Sequence, residues 1–197
     1  MLAVGGHEPS AFPRCDMPQR VIVVHNTKPQ DDPVHLAELD VKTGAEMKIA
    51  PAYIEAPSHP DARRLLDHYT ACMAKGGFAM LRDVPSRAIA PLMANLMVVE
   101  PVDQGDDFRI RLAGSGLLKR YGFDVSGYRL SDLYGADIFI HYRSTLQETI
   151  RAGAPVLVHI KVSDTERDRF SIEYVCVPIR APDRQSNWIL VGGFHQS

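Results

Sequence analysis

The chain is poor in the residues and runs that most readily mark a chemistry. It has three cysteines, Cys15, Cys72 and Cys176, set far apart. Without a CxxC spacing they exclude a sequence-evident zinc site or disulfide framework, and they fit a reducing compartment. The formal net charge is -2 over 197 residues, so no basic excess exists to displace the counterions of a nucleic acid. No apolar stretch approaches the ~20 residues of a membrane span. The opening MLAVGGHEPSAFPR lacks the basic start and sustained apolar run of a signal peptide. These absences predict a cytoplasmic protein that works without membrane or nucleic acid. What remains is ordinary for a soluble globular chain, 45% hydrophobic and 23% charged, with room for one core and an appendage.

The motifs that invite a catalytic reading each fail on a neighbouring residue. Gly114-x-Gly116 follows a strand, but a dinucleotide fingerprint needs glycine where Lys119 stands. Ser115 would need glycine at 113 and 117 to form a nucleophile elbow, and these are Ala113 and Leu117. The bland alternative is a tight strand-to-helix turn capped by Ser115. His141, His159 and His195 have no second ligand at i+3 or i+4. His141 beside Tyr142 could serve as an axial ligand, although a surface or satisfied histidine is the commoner role. No catalytic residue and no metal ligand is assigned, and the chain is expected not to be an enzyme.

The organisation changes near residue 57. Eight of the chain's 14 prolines fall in residues 1–60, and residues 1–57 read as a partly irregular extension. The β-type runs Val21–Val24 and Val34–Val41 leave open a hairpin that joins a sheet edge or docks on a partner. Residues 58–197 read as the folded domain. Ser58 and Asp61 have capping-box spacing around Pro60, and Ala62, Leu65, Leu66, Tyr69, Cys72 and Met73 form an apolar stripe ending at Gly76-Gly77. This predicts a helix over 59–75.

Leu96–Val102 and Phe108–Ala113 then read as a hairpin across a turn at 103–106. Small helices over 115–134 follow. Next comes a long helix capped by Asp137 and ended by Gly153 and Pro155. Strands Val156–Val162, Phe170–Val177 and Trp188–Gly192 complete the pattern. The expected fold is α+β, a two-layer sandwich of five antiparallel strands with helices on one face. The connectors between the second and third strands must cross that face, and a small ligand would sit beneath them.

The aromatic residues Tyr121, Phe123, Tyr134, Phe139 and Tyr142 concentrate around that presumed pocket, where tyrosine hydroxyls can bind a ligand. Glu173 is added as a candidate anchoring carboxylate. Its structural alternative is an ion pair with Arg109 or Arg111. Leu65, Leu66, Tyr69 and Met73 are the candidate dimer or partner surface, and Leu66→Asp is expected to weaken a homodimer.

Several pieces in order resemble the PAS_5 family of bacterial PAS-like domains. They are Leu81-Arg82-Asp83-Val84-Pro85-Ser86-Arg87, Phe108-Arg109-Ile110-Arg111-Leu112-Ala113-Gly114, Tyr121-Gly122 with Ser126-Gly127-Tyr128-Arg129-Leu130, and Ile172-Glu173-Tyr174-Val175-Cys176-Val177-Pro178-Ile179. Ser126 and Ile179 are mild departures from the family pattern. The resemblance implies the PAS fold and a sensory or protein-contact role, with no catalytic residue to carry over and no fixed ligand. The chain ends three residues after Phe194, which leads to the expectation of a stand-alone signalling module acting through a protein partner. Haem, flavin or a metabolite are the cofactor classes such a pocket admits. A structural adaptor with a filled interior, or an enzyme using the pocket, are the alternatives.

Overall fold

The computed structural model describes residues 48–163 and 168–196. Six strands form one antiparallel sheet: β1 Lys48–Tyr53, β2 Leu96–Val102, β3 Asp107–Ala113, β4 Val156–Ser163, β5 Asp168–Arg180 and β6 Asn187–Gln196. Their order across the sheet is β1-β4-β5-β6-β2-β3. The helices are α1 Pro60–Met73, α2 Ser115–Tyr121, α3 Leu130–Leu133 and α4 Ala136–Ala152, and a 3₁₀ helix, Ala90–Asn95, leads into β2. The α+β class and the antiparallel sheet are as expected, and five of the strands lie where the alternation places them.

The sixth strand is a correction. β1 falls within the stretch read as an extension and pairs with β4, Lys48 opposite Ser163 through Tyr53 opposite Val158. Its Pro51 lacks the amide a central strand would need, and a proline is tolerated here because β1 is the sheet's edge among the described residues. The runs Val21–Val24 and Val34–Val41 lie outside the described residues.

A second correction concerns the layers, because helices cover both faces. Alternation along β5 sends Ile172, Tyr174 and Cys176 to one core with Met97, Phe108, Leu130 and Leu146. Val175, Val177 and Ile179 join another with Leu65, Tyr69, Leu190 and Phe194. The first core lies under α2, α3 and α4, and the second under α1. Period-two side-chain alternation is the whole cause of this division. Gly192 on β6 lets α1 approach, since a Cβ there would stand 2.7 Å from a methyl of Leu65.

Local starts also differ from expectation. The N-cap of α1 is His59, one residue beyond Ser58, and its Nδ1 accepts from the Asp61 amide at 3.1 Å. Gly114, with no side-chain bond, is the N-cap of α2 in place of Ser115. Gly114 and Gly116 instead admit the 3₁₀ helix: a Cβ at Gly114 would lie 2.0 Å from the Met93 carbonyl oxygen. The N-cap of α4 is Gly135, and Gly153 ends the helix in the left-handed conformation. That C-cap is the expected one, since glycine takes this backbone without a Cβ clash.

Candidate functional site

Helical spacing directs one stripe of α4 at the sheet. Ile138, His141, Tyr142, Thr145 and Leu146, at i, i+3, i+4, i+7 and i+8, border a cavity of about 40 Å³. The sheet closes it from below with Val158, Ile160, Tyr174, Cys176, Val191 and Met97, and Pro51 of β1 stands at its edge. The walls are thus mostly aliphatic, with polar groups from His141, Thr145 and two tyrosines. A strand outside the expected five contributes to the site.

The tyrosines are coupled to one another. Tyr142 and Tyr174 join hydroxyl to hydroxyl at 2.8 Å. Tyr134 stacks on Tyr142 with ring centroids 4.5 Å apart and planes 23° from parallel, and the hydroxyls of Tyr121 and Tyr134 are hydrogen-bonded. Four rings therefore run from α2 to β5. Such aromatic pairs contribute beyond their buried area. Phe123 packs edge-on to Tyr121 at 6.4 Å, and Phe139 lies 5.8 Å beneath the Arg143 guanidinium. Of the aromatic residues singled out in the sequence, only Tyr142 borders the cavity. Tyr121 and Tyr134 reach it through Tyr142, whereas Phe123 and Phe139 pack against the surrounding core.

Tyr174 and Cys176 were visible as the bulky side of an alternating strand, and that parity is the signal that could have placed them in the site. Burial pushes the Cys176 thiol up to about 12. It is a small apolar wall group rather than a nucleophile at neutral pH. Cys72 is buried as well, in the core beneath α1, and Cys15 lies outside the described residues.

Glu173 is not part of this site. It points to the opposite face and holds the start of α1, accepting from the Ser58 amide at 3.1 and 3.0 Å and the His59 amide at 2.9 Å, and from the Ser58 hydroxyl. Only 2% of it is exposed, so the charge stands on these donors and on the positive end of the helix dipole. Burial raises its pKa, but the bonds from Ser58 and His59 outweigh that, with help from His159, and leave the carboxyl below its ordinary value. The ion pairs considered for it form elsewhere: Arg109 and Arg111 both lie 3.5 Å from Glu100.

The candidate partner residues divide. Leu65 and Tyr69 are buried against the chain's own sheet, Leu66 is partly buried beside them, and Met73 is 47% exposed. Among the described residues no helix is long and apolar enough to cross a membrane, and no group of three or more metal-binding side chains occurs.

Cofactor sites commonly enclose about 300–1,000 Å³. A cavity of about 40 Å³ does not fit haem or flavin. It is large enough for a few water-sized groups, each of which needs roughly 10–15 Å³.

Neither the curated proteins nor the solved structures contain a match to the chain. A family model for the PAS domain, PAS_5, matches residues 59–192. The match opens at the N-cap of α1 and closes within β6, so it takes in both helical faces and most of the cavity wall and leaves out β1. The chain belongs to the PAS_5 family of PAS domains.

Proposed function

We propose that this chain is a cytoplasmic sensory module in which a small, largely apolar ligand enters between α4 and the sheet. Its arrival shifts α4, and a partner protein reads the change. The observation that carries this reading is the cavity itself, bounded by one stripe of α4 and by the alternate residues of β4, β5 and β6. A ligand of a few heavy atoms matches its volume, and the Tyr142–Tyr174 hydroxyl pair supplies the polar contact that would orient it. Binding that favours one arrangement of α4 over another is sufficient to transmit a signal. The reading is one of binding: the Cys176 thiol is held protonated by burial, and the two tyrosine hydroxyls at the cavity are paired with each other. Buried, unpaired thiols at Cys72 and Cys176 accord with a reducing compartment.

Methyl-resolved NMR tests this reading with xenon and then ethanol and butanone as probes. Saturable shifts confined to the methyl groups bordering the cavity, Ile138, Leu146, Val158, Ile160 and Val191, are expected, and Val158→Phe, which fills the space, removes them. Methyl signals that do not respond to any probe would refute the ligand reading and leave an adaptor with a filled interior.

A further inference from the structure

Two loops beside the C-terminal end of α1 carry features that the cavity does not use. The first, residues 76–83, is tied down from within. The Asp83 carboxylate accepts from the Ala79 amide at 2.9 Å and from the Arg82 guanidinium at 2.9 and 2.7 Å, and the Leu81 amide donates to the Val84 carbonyl at 3.0 Å. At its tip Leu81 holds a left-handed backbone, φ 66°, with 76% of its surface exposed. A residue with a Cβ is strained there, and so exposed an apolar side chain recovers nothing by packing within the chain.

The second loop follows β5. Asp183 accepts from the amides of Gln185 and Ser186, each at 2.8 Å, and from the Ser186 hydroxyl at 2.6 Å. Backbone bonds of 2.9 Å from Met80 to Arg180 and from Arg180 to Phe78 lock the two loops together. Between them opens a cleft of about 490 Å³ with Leu81, Arg82, Arg180, Pro182 and Arg184 on its walls. Asp83 and Asp183, the acids of these loops, are committed to the contacts just described. Arg180 and Arg184 are exposed and form no salt bridge among the described residues.

We propose that this cleft docks an acidic segment of a partner protein, with its carboxylates on Arg180 and Arg184 and an apolar side chain of it covering Leu81. Charge complementarity selects that partner, since guanidinium groups pair carboxylates in a forked geometry. Walls fixed before binding reduce the ordering that docking requires. Arginine is also among the residues that concentrate binding energy at interfaces. The proposal is independent of the ligand cavity, with which the cleft shares no lining residue.

Fluorescence polarisation on the full chain tests it. The probes are a short labelled peptide alternating glutamate and leucine and its glutamine–leucine counterpart. Saturable binding of the first alone is expected. The double variant Arg180→Glu/Arg184→Glu should weaken it by about tenfold or more, in the range of interface anchors. Leu81→Gly should weaken it severalfold while leaving the melting temperature unchanged or higher, because glycine suits the left-handed backbone. The charge-matched pair Lys119→Glu/Lys161→Glu should bind as the parent does. Four results would each overturn the proposal: no saturable binding, no loss in the arginine variant, an equal loss in the lysine variant, or displacement of the peptide by succinate at matched concentration. The last would mark a small-anion site instead.

Discussion

Alternate residues of the same strands build the two faces of this sheet, and the faces differ in kind. Under α1 the packing is closed: Leu65, Leu190, Val175, Val177 and Phe194 are each at most 2% exposed, and Glu173 anchors the helix by its first amides. Under α4 the packing leaves a cavity, and the polar groups around it are His141, Thr145 and tyrosine hydroxyls bonded to one another. A charged anchor holds the start of one helix, and a cavity crossed by a neutral hydroxyl pair underlies the other. On the function proposed above, one covering is structural and the other responsive, although the sequence pattern beneath both is the same period of two.

The largest expected effect comes from comparing leucines across the sheet. Leu65→Ala should cost about 3–4 kcal/mol, within the range for a filled core site. Leu146→Ala should lie nearer the low end, about 2 kcal/mol, because a side chain already bordering a void has fewer contacts to lose. Urea unfolding of the two variants measures the difference, and equal costs would erase the distinction between the faces.

Next in size is the anchor. Glu173→Gln should cost about 2 kcal/mol at neutral pH, the scale of hydrogen bonds to a charged group. The Glu173 carboxyl sits below its ordinary value in the folded chain. Its stabilisation is therefore fully present above the unfolded carboxylate value of about 4.3 and is lost as pH falls through the lower folded value. The parent and the variant should accordingly converge in stability on acidification. A gap that persists at low pH would mean that the charge is not what holds α1.

The smallest effect belongs to the neutral pair. A double-mutant cycle of Tyr142→Phe and Tyr174→Phe should return a coupling of about 1 kcal/mol. A coupling as large as the Glu173 anchor would show that α4 is held as firmly as α1.

Much of the fold was legible because local pattern and final packing agree. Phe108 and Ile110 alternate against Arg109 and Arg111 in the sequence, and the first two are buried while the arginines are not. The stripe through Leu65 and Tyr69 likewise announced α1. What the stripe could not say is which face of the sheet it covers, since an amphipathic helix needs only an apolar surface. β1 escaped notice because Pro51 and two alanines give it little β-propensity, and its pairing with β4 supplies what the local sequence does not. The partner of Glu173 was equally hidden. Backbone amides at residues 58 and 59, more than a hundred positions away, have no side-chain signature. The tyrosines were legible as a group, but their connection through hydroxyls and one stacked pair depends on how α2, α3 and α4 meet over the sheet.

Native-state amide hydrogen exchange, followed by mass spectrometry, tests the difference between the faces most directly. The account predicts that α1, over residues 60–73, exchanges only with global unfolding, while α4, over residues 136–152, opens at a clearly lower free energy. Equal protection of the two helices, or α1 opening first, would contradict it.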